Sequence, residues 1–178
     1  MATGARNLVI VILDSLRYDS WVAAEPETLS RLGPVERRWS YATWTAPSHY
    51  NLLMGLLPHT SPPEVYASEY YKQDFLRYSE RLGLPDIEFK RLDDQPQPGD
   101  AVEFFDQSRL RQLHARQVEA VRYLDGVFAR LFDLLPDDTW VIVTSDHGEL
   151  FGEERYFGHG PIMHEKVLEV PFVEGLVP

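Results

Sequence analysis

At 178 residues, 44% of them hydrophobic and 12% aromatic, the chain can bury a sizeable core as one domain and is not composed like a disordered one. Twenty-eight acidic residues against 17 basic ones give a formal net charge of −11, which excludes the basic face that a nucleic-acid binder needs. Cysteine is absent, so there is no disulfide framework, and neither a signal-peptide pattern nor an apolar run near the ~20 residues of a membrane span is present; a soluble cytoplasmic protein is expected.

In chain order, Leu8-Val9-Ile10-Val11-Ile12-Leu13 is a continuous apolar run that predicts a central parallel strand buried on both faces, ending at Asp14. Residues 25–33 predict a short helix with Pro26 near its start and Gly33 as its C-terminal cap. Trp39 to Thr45 is aromatic and β-branched and reads as a short strand. A helix follows over Tyr50–Leu57, with Pro47 suited to its first turn. Thr45 then lies at a strand-to-helix junction, as a simple N-cap or close to backbone N–H groups that favour an anion. Farther on, Tyr66–Leu82 reads as a helix and Asp86–Leu92 as a half-exposed strand, with loops at 58–63 and 95–100.

Residues 103–135 carry the longest helical pattern, an apolar stripe of Leu110, Leu113, Val121, Leu124, Phe128, Leu131 and Leu135. His114 and Asp125 on this helix read as solvated or capping groups. Through Pro136-Asp137-Asp138 the helix feeds a second buried strand, Trp140 to Thr144, the helix-to-strand step of a parallel sheet. That strand runs into Asp146-His147-Gly148, two metal-competent side chains followed by a glycine that permits a sharp turn. His159 sits between two glycines, His164 follows five residues later, and Val170–Val173 is the last strand.

Ligands of open α/β sheets sit beyond the carboxyl ends of the strands. Asp14, Thr45 and the Asp146–His147 pair are therefore expected to meet at one edge. Two carboxylates, a hydroxyl and an imidazole suit Mn²⁺ or Zn²⁺ and tolerate Mg²⁺, whereas Ca²⁺ fits less well. A hydroxyl on a divalent cation is acidified, which would activate Thr45 toward a tetrahedral phosphorus or sulfur centre. His159 and His164 could protonate a leaving group, hold the transferred anion or complete a second metal site.

The segment from Asn7 to Asp19, with Asp14 within it, resembles the opening metal-binding strand of the alkaline phosphatase/sulfatase superfamily. Thr45-Ala46-Pro47-Ser48-His49 and Leu52-Leu53-Met54-Gly55 are similar to the sulfatase nucleophile signature, Cys/Ser-x-Pro-Ser-Arg followed by Leu-Leu-x-Gly. Ser145-Asp146-His147-Gly148-Glu149, Gly158-His159-Gly160 and Val170-Pro171-Phe172 resemble the family's C-terminal block, which Tyr123-Leu124-Asp125 precedes as is usual there. The resemblance implies an α/β fold of three layers, alkaline-phosphatase-like and reduced in size, with a mostly parallel central sheet and helices on both faces. It also implies a one-metal site of Asp14, Thr45, Asp146 and His147, like that of the phosphoethanolamine-transferase-like branch.

Four departures qualify this. Thr45 cannot become the formylglycine that sulfatases make from Cys or Ser, which favours phosphoric over sulfuric esters. Ser15 stands where sulfatases carry a second adjacent Asp, and His49 replaces the signature's Arg. The middle of the domain, about residues 60–105, is shorter than in such proteins. The expectation is a metal-dependent phosphoester hydrolase or phosphotransferase acting on a small anionic ester, with Thr45, His159 and His164 catalytic. A two-metal enzyme with His159 and His164 on the second ion, a sulfuric-ester hydrolase, and a non-catalytic module that keeps the sheet and the metal are the alternatives. An open edge of the trimmed sheet would be covered by a second copy, hence an expected homodimer.

Overall fold

The computed structural model describes residues 4–57, 106–160 and 162–178. The helix and strand expected at 66–82 and 86–92, with their flanking loops, lie outside these residues. Four strands form the main sheet: β1 (Asn7–Ile12), β2 (Glu36–Trp39), β3 (Thr139–Thr144) and β6 (Glu169–Leu176), in the order β1-β3-β6-β2. The expected α/β class holds, and among the described residues the sheet is mixed: β1 and β3 run parallel, whereas β6 is antiparallel to both β3 and β2. The parallel register pairs Ile12 with Thr144, so the two strands end level and Asp14 and Asp146 each lie two residues beyond that pair. A short second ladder, β4 (Leu150–Phe151) with β5 (Phe157–Gly158), projects from the loop after β3.

The core lies on one face of the sheet. Val141, Val143 and Val173 meet Trp21, Leu29, Val121, Phe128 and Phe132 from the helices α1 (Tyr18–Ala24), α2 (Glu27–Ser30) and α4 (Gln107–Phe132). On the opposite face Leu8 and Ile10 are 59% and 46% exposed, so the expectation that β1 is buried on both faces fails among the described residues. The physical reason is that α1, α2 and α4 pack against one another on the same side. An apolar run reports a strand's composition and says nothing of whether both of its faces are covered.

The long helix begins at Asp106, whose carboxylate accepts from the Arg109 N–H at 2.8 Å, and ends before Pro136, which disfavours helical backbone in the residue preceding it. Leu110, Val121 and Phe128 of the expected stripe are buried. The helix expected over 25–33 is shorter, and α1 before it was not apparent from the sequence. Gly33 is not the cap: a Cβ there would lie 2.9 Å from the Glu174 carbonyl oxygen, so close packing of the loop on β6 is what requires glycine. Asp125 does cap, but across the core, accepting from the N–H groups of Thr28 and Leu29 at 3.0 and 2.9 Å. Asp125→Ala is expected to cost about 1 kcal/mol, lowering the melting temperature by about 2–4 °C in a chain of this size. An unchanged calorimetric melt would show those two N–H groups satisfied without it.

The strand expected over 39–45 is found earlier, as Glu36–Trp39, and shares only Trp39 with the expected range. Ser40 still follows the β2–β6 register, its N–H donating to the Leu168 carbonyl at 2.7 Å, while its hydroxyl reaches the backbone carbonyl of Asp146; residues 41–44 then bend away. The last strand is longer than the expected 170–173, and α3 (Thr45–Met54) starts earlier than the expected Tyr50.

Candidate metal centre and nucleophile

The loop after β3 is braced from three sides. The Ser145 hydroxyl accepts from the Leu16 N–H at 2.9 Å and donates to the His147 carbonyl at 2.6 Å, tying the end of β1 to the Asp-His pair. Ser48 on α3 donates to the Asp146 carbonyl at 2.6 Å, which joins the helix that begins at Thr45 to the same loop. Gly148 packs so closely that a Cβ would lie 2.0 Å from the Lys166 carbonyl oxygen. Its smallness, rather than left-handed backbone, is what the position demands.

Within this brace the structure brings together one carboxylate oxygen each from Asp14 and Asp146 and a ring nitrogen of His147, all within 4.8 Å of one another. The Thr45 hydroxyl lies 3.1 Å from Nε2 of His147. Thr45 is the first residue of α3, with Trp44 at the N-cap position, so its side chain is not the cap.

The hydrogen bonds of the two buried ligand candidates are lopsided. Asp146 is 1% exposed; its Oδ1 accepts from the backbone N–H groups of Ser15 at 3.1 Å and His147 at 3.0 Å. Ser15 can aim its N–H there because it adopts left-handed backbone, φ 61°, uncommon for a residue with a Cβ. Oδ2 of Asp146 is buried and makes no hydrogen bond among the described residues. A buried carboxylate oxygen without a partner is costly unless a cation meets it. His147 Nδ1 lies 2.9 Å from the Gly148 carbonyl, so that nitrogen carries the proton and Nε2 presents its lone pair to the site. Burial also holds the His147 pKa below its ordinary value, against the pull of Asp146, and so favours the neutral ring that ligation requires. These residues fit a divalent cation.

The β4–β5 ladder pairs Leu150 with Gly158, and so carries Glu149 and His159 to facing positions just beyond it. His159 Nδ1 is 2.9 Å from Glu149 Oε2, and its ring lies 4.2 Å from that of His147, tilted by 37°. Burial opposes protonation of His159, but the Glu149 hydrogen bond and charge outweigh it and raise its pKa. Gly158 and Gly160 have φ of 92° and 104°, the backbone freedom expected on either side of this histidine. Sequence reading missed Glu149, although it ends the quoted Ser145–Glu149 block. The other expected catalytic histidine is engaged differently: His164 is the N-cap of α5 (Glu165–Leu168), its Nδ1 accepting from the Lys166 N–H at 3.0 Å. His114 contacts the Ser20 hydroxyl at 3.0 Å and stacks on Phe151, as a structural residue would.

Beneath the loop Arg17 is 2% exposed. It forks onto Asp19 at 2.8 and 2.5 Å, meets Glu153 at 2.6 Å and donates to the Glu149 carbonyl at 3.2 Å. None of the described helices is long and apolar enough to cross a membrane.

The sequence model of the sulfatase family matches residues 48–173, which include Asp146, His147, Glu149 and His159 but not Asp14 or Thr45. The chain is 26% identical to the low-salt glycan biosynthesis sulfotransferase Agl7 of Haloferax volcanii over 95% of its own length, and spans about half (54%) of that relative. Its fold is similar to the C-terminal periplasmic domain of the phosphoethanolamine transferase EptC from Campylobacter jejuni, with TM-score 0.60, 14% identity, 97% of this chain covered and 79% of that one. It is also similar to the soluble domain of lipooligosaccharide phosphoethanolamine transferase A from Neisseria meningitidis, with TM-score 0.51, 16% identity, and 98% and 77% covered. With a match over most of its length and a fold shared with these domains, the chain belongs to the sulfatase family, within the alkaline phosphatase/sulfatase superfamily.

Proposed function

We propose that this domain transfers a phosphoryl group from an anionic ester, using Thr45 as nucleophile beside a single divalent cation, Zn²⁺ or Mn²⁺. The observation that carries the reading is the Thr45 hydroxyl 3.1 Å from His147 Nε2, beside an Asp146 Oδ2 that makes no hydrogen bond among the described residues. Asp14, Asp146 and His147 would hold the cation together with Thr45 Oγ1. When bound, such an ion lowers the pKa of a coordinated hydroxyl and bears part of the charge on the phosphoryl oxygens.

Thr45 Oγ1 bonds to phosphorus as the ester P–O bond breaks, its own proton passing to water. The departing alcohol oxygen takes a proton from His159 Nε2, since Nδ1 is engaged by Glu149. In the second half an acceptor hydroxyl, or water, attacks phospho-Thr45 and returns its proton to His159, and the Thr45 oxygen leaves, taking back a proton from water. The names of the relatives, all transferases, favour an acceptor hydroxyl over water.

Sulfuryl transfer is the second reading, favoured by the sulfotransferase relative. The discriminating experiment strips metal with a chelator, restores Zn²⁺ or Mn²⁺, and supplies aryl phosphate or aryl sulfate carrying label in the transferable group. Metal-dependent turnover with phosphorus label on the peptide bearing Thr45 is expected. Sulfur label there would transfer the proposal to sulfuryl chemistry. Metal binding with neither label nor turnover would leave a binding module.

A further inference from the structure

One helical turn into α3, His49 shares a helical face with Thr45, four positions earlier. Its Nε2 is buried and lies 3.3 Å from Oδ2 of Asp146, yet neither atom makes a hydrogen bond among the described residues. An imidazolium–carboxylate pair would align an N–H with the oxygen. Two buried polar atoms that approach this closely without alignment instead share a third point toward which both lone pairs can be directed.

The separations fit a cation at that point. Metal–ligand bonds of ~2.0–2.2 Å at tetrahedral angles put neighbouring ligand atoms ~3.3–3.6 Å apart. His49 Nε2 and Asp146 Oδ2 are 3.3 Å apart, His147 Nε2 and Asp146 Oδ2 are 3.5 Å apart, and His147 Nε2 and Asp14 Oδ1 are 3.8 Å apart. The sulfatase signature, as read from the sequence, places an Arg where His49 stands. A guanidinium stays protonated and has no lone pair for a metal, whereas a neutral imidazole has one.

We infer that His49 is a further ligand of the cation, shifting the site toward nitrogen donors and so toward Zn²⁺ over Mg²⁺. The inference rests on the metal reading above. The test therefore measures metal binding directly, on the apo-protein, with Co²⁺ and Zn²⁺ as probes, in wild type, His49→Gln, His49→Ala and Asp146→Asn. Calorimetry gives affinity and stoichiometry, and Co²⁺ absorption reports the ligand field.

Wild type should bind one ion, both His49 variants should bind it at least about tenfold to a hundredfold more weakly with a shifted Co²⁺ band, and Asp146→Asn should lose it. Unchanged apo melts in the His49 variants would show the loss to be ligation rather than folding. If affinity and the Co²⁺ band are unchanged in both His49 variants while Asp146→Asn loses the ion, His49 is only an ion-pair neighbour and the inference fails, with the metal reading intact. If wild type and Asp146→Asn both bind no ion, the metal reading itself fails and takes the inference with it.

Discussion

Thr45→Ala should lower metal-dependent turnover by on the order of 10³-fold or more, with the bound ion retained. On the proposed mechanism the hydroxyl forms the covalent intermediate, and no neighbouring side chain would substitute for it. The ion should stay because Asp14, Asp146 and His147 supply a ligand group without it. Metal content measured alongside turnover separates the two effects: activity gone with the ion present identifies a nucleophile, whereas both gone identifies a residue needed to build the site. Thr45→Ser keeps the oxygen and should retain label on the same peptide. Turnover by Thr45→Ala within tenfold of wild type would end the covalent mechanism.

Arg17→Met should cost about 3 kcal/mol, the lower end for removing one partner of a buried ion-pair network. In a chain of this size that lowers the melting temperature by roughly 6–12 °C. The lower end applies because Asp19 and Glu153 are 35% and 28% exposed and can be rehydrated once the guanidinium is gone. The variant should also lose activity, since Arg17 donates to the Glu149 carbonyl and thereby steadies the carboxylate that holds His159. The penalty should depend on pH. Burial alone would raise the Asp19 pKa, but the hydrogen bonds and charge of Arg17, with help from Lys166, hold it at about 2. A carboxylate held below its ordinary value stabilises the fold above the ordinary range, and that contribution is lost as pH falls through the depressed value. The gap in melting temperature between wild type and Arg17→Met should therefore be full at neutral pH and narrow between about pH 4 and 2. A gap constant over that range would assign the penalty to lost packing on Phe151 rather than to charge.

What the sequence made legible follows from how local each signal is. Two β-branched runs, each ending in a carboxylate, are local patterns, and their parallel pairing brings Asp14 and Asp146 to one edge as the runs implied. Thr45 could be placed because proline and the strand-to-helix change mark its position. Glu149 was hidden, since its meeting with His159 depends on the two-residue ladder Leu150–Phe151 with Phe157–Gly158, too short to leave a periodic trace. His49 read as the loss of an arginine, and only the three-dimensional approach to Asp146 gives it a positive role. The end of β2 escaped for a similar reason: the Ser40 hydroxyl, at the last register position, is held by a carbonyl more than a hundred residues away. Gly33 was read as a helix cap and Gly148 as a turn former, but each is needed for a close approach that only the folded chain creates.

The serine at position 15 has an electrostatic consequence. Its hydroxyl donates to Oδ1 of Asp14 at 2.7 Å, at the place where the sulfatases' second adjacent aspartate would add a negative charge. Asp14 and Asp146 are the anions of the ligand group, and the Glu149 carboxylate beside it is paired with His159, so one divalent ion would bring the ligand group to formal neutrality. An incoming phosphate or sulfate ester would then meet no net repulsion, even on a surface as acidic as this one.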